Sequence, residues 1–232
     1  MERRGGLSQM EARAKSTSWA ITYGDMVTLL LTFFIMLLVI MNDAEKHIDR
    51  VINMLLDESY KELADNVTSS YVMVERVTKG VKITMASGRL FRSMDADVQP
   101  DVYPLLQQIG GIIKLSRVVR VKDDPELHKF IESVENAGRQ LNIEIRCEGH
   151  TDDLQLSGTS RYDGNWDLST ARALNIVKLL SQFAGIPEEK FSAMGYGEFR
   201  PVVPNSDNAA RAKNRRVEIY LDAFITVPTI TN

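Results

Sequence analysis

Two groups of residues in this sequence have types and spacings suited to chemistry. The first centres on one carboxylate, Asp25, set in the run Trp19 to Met41, WAITYGDMVTLLLTFFIMLLVIM. A charged Asp at mid-bilayer costs about 2.5–3.5 kcal/mol on insertion scales, so acids in such runs face a protein interior or a water path. Asp25, Thr28 and Thr32 stand at i, i+3 and i+7, on one helix face that begins at Ile21. A narrow polar stripe on an apolar helix predicts one or more partner helices. Its acid suits a proton relay, alternating between neutral and charged forms as access changes. A unit charge crossing the membrane gains about 2.3 kcal/mol per 100 mV, a usable driving force. The plainer alternative is an Asp that snorkels to the interface.

The second group is Gly149-His150-Thr151-Asp152-Asp153 with Arg172, Arg215 and Arg216. An Asp beside guanidinium donors suits a ligand bearing both an ammonium and a carboxylate: Asp takes the cation, and Arg takes the anion bidentately. A solvated salt bridge is the plain alternative. Cys147 and His150 differ by three positions and would face opposite sides of a strand, and the chain has 3 His, so no metal centre is expected. No nucleophile is matched with a base, and the chain is read as a non-enzyme.

The elements that position these groups follow from periodicity. From Met26 to Met41 only Thr28 and Thr32 interrupt the apolar residues. At about 1.5 Å per residue, the run from Trp19 is long enough for a bilayer. It is too long for a signal-peptide core, and no A-x-A-like site follows. Residues 1–18 hold four basic and two acidic side chains; residues 42–60 hold two basic and five acidic. The positive-inside rule therefore puts the N-terminus in the cytoplasm and the rest outside. Ile48, Val51, Ile52, Leu55 and Leu56 mark an amphipathic helix. It could pair with a copy of itself, lie on the membrane, or pack on the following domain. Two strands are expected around Lys79-Gly80, and a helix from Pro104 to about Ser116. Another helix is expected from Pro125 to near Leu141. Then come a strand over Asn142–Glu148 with Cys147 inward, and a polar loop from Thr151 to Gly164. A helix to about Ala184 ended by Gly185 and Pro187, a strand Phe191–Gly195, a loop Gly197–Asn208 and a last strand Arg216–Asp222 complete the reading.

Composition is ordinary: 232 residues, 44% apolar, 25% charged, net charge −3. That excludes a disordered chain or a disulfide scaffold. With a pI near 5.7, nucleic acid is not an expected partner.

The strings EGHTDD, NWDLSTARALNIVKLL, SAMGYGEFRPV and NRRVEIYL occur in that order, preceded by LFRSMDADVQPDVYPLL. They closely resemble the OmpA-like peptidoglycan-binding domain, over roughly Leu90 to Leu221. The run WAITYGDMVTLLLTFFIMLL is similar to the membrane helix of the motility protein B family, the stator B subunits of the flagellar motor. The fold implied is a single N-terminal transmembrane helix plus an α+β two-layer OmpA-like domain with a mixed sheet. The expected organisation is a cytoplasmic tail 1–18, a transmembrane helix 19–41, a plug or linker helix 42–69, a periplasmic domain 70–225 and a tail 226–232.

The resemblance also implies roles. Asp25 matches the ion-carrying aspartate, with a proton or sodium ion as cargo and no cofactor. Asp152 and Arg172 match the pair that hold the diaminopimelate of the peptidoglycan stem peptide; Thr151, Leu168 and Arg215 match neighbouring pocket positions. Residues 43–56 sit where such proteins carry a plug. The implied partners are a ring of MotA-like subunits, a second copy of the chain, the cell wall and, only through the A subunit, the rotor. The implied location is the bacterial inner membrane, crossed once. A B-type subunit of an anti-phage or gliding motor, and a passive wall anchor, are the rival readings.

Overall fold

The computed structural model describes residues 9–158 and 160–227, with the side chains of 9–18 and 42–45 left aside. Parts of the two expected tails, residues 1–8 and 228–232, lie outside the described residues, as do the side chains at 43–45 of the expected plug. The chain divides into two compact units between Asp49 and Arg50. Helix α1 runs from Gln9 to Asn66.

In the first unit, every residue from Trp19 to Met41 is exposed. This part of α1 is long and apolar enough to cross a membrane. Thr28 Oγ1 donates to the Asp25 carbonyl oxygen at 2.8 Å and Thr32 Oγ1 to that of Leu29 at 2.9 Å. Both threonine donors are thus used within their own helix. Among the described residues, no side chain pairs with the Asp25 carboxylate.

The second unit is an α+β domain on a five-stranded sheet. Strands β1 (Val72–Val77) and β2 (Gly80–Ala86) form a hairpin, followed by the one-turn helix α2 (Ser87–Leu90). Helices α3 (Tyr103–Leu115) and α4 (His128–Asn136) lead to β3 (Gln140–His150). The long α5 (Asn165–Ala184), β4 (Phe191–Gly195), α6 (Asn208–Asn214) and β5 (Arg216–Thr226) complete the chain. The sheet order is β1-β2-β5-β3-β4; β3 and β4 run parallel and the other neighbours antiparallel, so the sheet is mixed as expected.

Alternation gives the sheet two unlike faces. Val81, Ile83 and Met85 on β2, Ile145 and Cys147 on β3, and Val217, Ile219 and Leu221 on β5 are all buried. They share the face that packs with Leu106, Ile109 and Ile113 of α3 and Ala173, Ile176, Val177 and Leu180 of α5 as the core. The other face carries Lys82 and Thr84, then Arg216, Glu218 and Tyr220, then Arg146, Glu148 and His150.

The amphipathic part of α1 belongs partly to this core. Leu55, Leu56 and Leu63 are fully buried. Arg76 of β1 donates to Asp57 and Asn53, both at 2.7 Å, and Gln108 of α3 donates to the Asn66 carbonyl at 2.8 Å. Residues 50–66 therefore pack on the domain, the third of the three options for this helix.

Two elements differ from the sequence reading. The helix expected to reach Leu141 stops at Asn136, because Gly138 adopts φ +67° and its N–H bonds the Glu135 carbonyl. The stretch Gly197–Asn208, read as a loop, leads into α6. Asp207 caps that helix, accepting from Ala210 N–H at 2.8 Å.

Candidate functional site

The ends of β3 and β4 meet the start of α5 through close backbone contacts that only glycine permits. A Cβ at Gly149 would stand 2.1 Å from the Ser169 carbonyl oxygen, and one at Gly195 would stand 2.5 Å from Thr170 N. Helix α5 therefore lies directly on β3 and β4, with Leu168 and Arg172 facing the residues that follow β3. Thr151 N–H donates to the Gly197 carbonyl at 2.9 Å, and Gly197 N–H to Ser169 Oγ at 2.9 Å.

A cavity of about 470 Å³ opens at this junction. It is lined by all five residues expected there: Thr151, Asp152, Leu168, Arg172 and Arg215. Asp152 Oδ2 accepts from Arg215 Nη1 at 2.5 Å. Arg172, the buried arginine of α5, donates from Nε to the Asp95 carbonyl at 2.8 Å and from Nη2 to the Arg92 carbonyl at 3.3 Å. Its guanidinium also lies 5.0 Å from the Phe91 ring. Burial pushes the Arg172 pKa down to about 10, opposed by the nearby Tyr162 and Asp95; it remains a cation at neutral pH. Arg172 thus supports the 91–95 wall of the pocket while lining it.

The sequence reading missed three further lining residues. Arg92 adds a third guanidinium. Ser87 adds a buried hydroxyl that, like Thr151 Oγ1, has no hydrogen-bond partner among the described residues. Buried polar groups without a partner are uncommon, and a ligand is one of the things that satisfies them. Asn165 donates to the Asp152 and Leu154 carbonyls at 3.2 and 2.9 Å and holds the loop after β3 in place. Outside the pocket, the buried Asn214 bonds Val202, Val203 and Asn205 and so sets the entry of β5 that carries Arg215. The strings STAR and NRR that hold Arg172 and Arg215 were visible in the sequence. Arg92 and Ser87 were not, because their approach to Asp152 depends on the sheet pairing.

Chemically, the pocket sets one carboxylate beside three guanidinium groups and two free hydroxyls. It suits a ligand with an ammonium and at least one carboxylate.

Comparison with known proteins matches two parts of the chain. Residues 116–215 fit the model of the OmpA family, and residues 3–58 fit that of the membrane MotB of the proton-channel complex MotA/MotB. Motility protein B of Bacillus subtilis is 28% identical, over 88% of this chain and 90% of its own length. The chain is a MotB-like protein with an OmpA-like domain. YtxE, another B. subtilis protein, is 26% identical over 95% of this MotB-like chain and 93% of its own. Among solved structures, the cell wall anchor of the T6SS from Pseudomonas aeruginosa is similar at a TM-score of 0.53 with 28% identity, covering 71% of this chain and 96% of that one. The MotB match spans Asp25, and the OmpA match spans all five of the expected pocket residues: Thr151, Asp152, Leu168, Arg172 and Arg215.

Proposed function

We propose that the chain is the B subunit of an ion-driven stator of the bacterial flagellar motor. The observation that carries this reading is one chain holding both a lone acid in an exposed apolar helix and a pocket for a zwitterionic ligand. Asp25 takes a proton or sodium ion from the outside, along a path shared with MotA-like subunits. Release on the inner side drives a ring of those subunits about a B dimer, and the rotor is reached only through them. The OmpA-like domain holds the unit against the wall. Asp152 receives the ammonium of a diaminopimelate stem peptide, Arg172 and Arg215 its carboxylate, and Thr151 and Leu168 line the same pocket. The N-terminus lies in the cytoplasm, the helix 19–41 crosses the inner membrane, and the domain is periplasmic. No catalytic step is assigned.

The test is Asp25→Asn in a strain whose swimming depends on this chain. The isosteric amide keeps the helix but cannot carry an ion, so swimming stops while the protein still reaches the membrane and the wall. Swimming that survives Asp25→Asn would sink the ion-carrying role. It would favour the second reading, a passive wall anchor, which the likeness to the T6SS wall anchor supports for the outer domain. Swimming speed against external sodium, with and without a proton uncoupler, separates the two ions. Loss of phage resistance or gliding, with swimming intact, would assign the chain to a motor of another kind.

A further inference from the structure

The pocket leaves one buried cluster unused. On the polar face of the sheet, Glu148 of β3 stands directly opposite Glu218 of β5, and His150 lies one pleat further along β3. All three are buried. Among the described residues, neither ring nitrogen of His150 has a hydrogen-bond partner. With only 2% of its surface exposed, that imidazole has lost water without gaining a replacement. Nε2 points between the two carboxylates, 3.7 Å from Glu148 Oε2 and 3.8 Å from Glu218 Oε2. These separations are too long for hydrogen bonds. They suit shared coordination: two ligands about 2.05 Å from a tetrahedral zinc stand about 3.3 Å apart, and a wider angle opens this towards 4 Å. The three ligand atoms all lie within 4.8 Å of one another.

We propose that Glu148, His150 and Glu218 form a binding site for one divalent transition-metal ion, with zinc the best match to one nitrogen and two oxygens. The carboxylates are already aimed by their outer partners. Arg146 pairs with Glu148 Oε1, and Arg216 Nε donates to Glu218 Oε1 at 2.7 Å. The oxygen of each carboxylate nearer the imidazole is Oε2, and on Glu218 it also accepts from the Tyr220 hydroxyl at 2.6 Å. Such second contacts orient metal ligands. The imidazole stacks on Tyr196 with ring centres 5.3 Å apart. Arg146, Arg216 and Arg200 balance Glu148, Glu218 and Asp222, so the ion adds net charge to the cluster.

The site has a structural consequence. Thr151 and Asp152 directly follow His150, and Arg215 lies three residues before Glu218. An ion held by the three ligands ties β3 to β5 at the end where both strands enter the pocket, and stiffens its walls.

The experiment uses the full chain purified in detergent, stripped with EDTA and titrated with zinc chloride by calorimetry, with thermal unfolding in parallel. The expected result is one saturable zinc ion per chain and a rise in Tm. His150→Gln and Glu218→Gln each weaken binding at least tenfold and abolish the rise. Glu148→Gln provides the same readout if either of those fails to fold. The double variant His47→Gln, His128→Gln, at exposed sites, keeps both effects. Absence of saturable binding by the native chain overturns the proposal. So does undiminished binding by the three ligand variants, or loss of binding in the double variant.

Discussion

Replacing Asp152 by Asn removes one charge from the pocket and little else. The side chain is 9% exposed and touches two groups: Arg215 Nη1 at 2.5 Å through Oδ2, and Leu154 N–H at 3.3 Å through Oδ1. An Asn carbonyl can still accept from Leu154, so the turn after β3 is kept. What disappears is the only carboxylate among the described residues lining a pocket that holds Arg92, Arg172 and Arg215. A hydrogen bond to a charged group contributes about 1.5–3 kcal/mol, so losing one to a ligand ammonium weakens binding roughly 10- to 150-fold. The assay is calorimetric titration of the chain with a diaminopimelate-containing stem peptide. The same titration is then run with the peptide's side-chain amine acetylated. If Asp152 receives the ammonium, native chain and variant bind the acetylated peptide alike. The coupling between charge removal on the protein and on the ligand then accounts for most of the loss. A variant that binds the unmodified peptide within threefold of the native chain would falsify the assignment. Equal losses for both peptides would place the effect in the Asp152–Arg215 pair instead.

Three further outcomes follow from the packing. Gly149→Ala drives a methyl into the Ser169 carbonyl of a 20-residue helix that cannot shift locally. Overpacking of this kind costs about 1–3 kcal/mol, and this site belongs at the upper end; a thermal scan showing an unchanged Tm would contradict the close approach of α5 to β3. Leu56→Ala opens a cavity in the domain core and is expected to lower stability to urea by about 2–5 kcal/mol. A loss below about 0.5 kcal/mol, the size of a surface substitution, would mean that residues 50–66 do not pack on the domain. Burial pushes the Cys147 thiol up to about 12. At pH 8 only about one such thiol in ten thousand is ionised, against about one in four for a free thiol. Alkylation should therefore be negligible until the chain is unfolded in urea, and rapid labelling of the native chain at pH 8 would be inconsistent with its place in the core.

Much of the architecture was legible because it rests on local periodicity. The alternation through Ile143, Ile145 and Cys147 identified the inward face of β3, and Gly185 with Pro187 marked the end of α5. Helix α4 ended early because a single glycine, Gly138, takes a left-handed conformation that no apolar period reports. Helix α6 was missed because its residues, NAARAKN, carry no apolar stripe; its start depends on a cap at Asp207. In the pocket, the residues of the EGHTDD, STAR and NRR strings were found in advance, whereas Arg92 and Ser87 come from a segment more than fifty positions before Asp152.

The sequence by itself determined that one helix is apolar enough for a bilayer and carries one acid. It also determined which faces of the strands are inward and which charged residues stand near strand ends. Those are consequences of residue type and spacing along a single element. Tertiary structure alone decided that Asp152 pairs with Arg215 while Arg172 supports the 91–95 wall. It also decided that residues 50–66 join the core, and that Glu148, His150 and Glu218 converge. The pocket pairing and the Glu148, His150, Glu218 cluster depend on the antiparallel register of β3 with β5, and the seating of residues 50–66 depends on their contacts with β1 and α3; long-range register is set by how whole elements pack, not by the residues of any one of them.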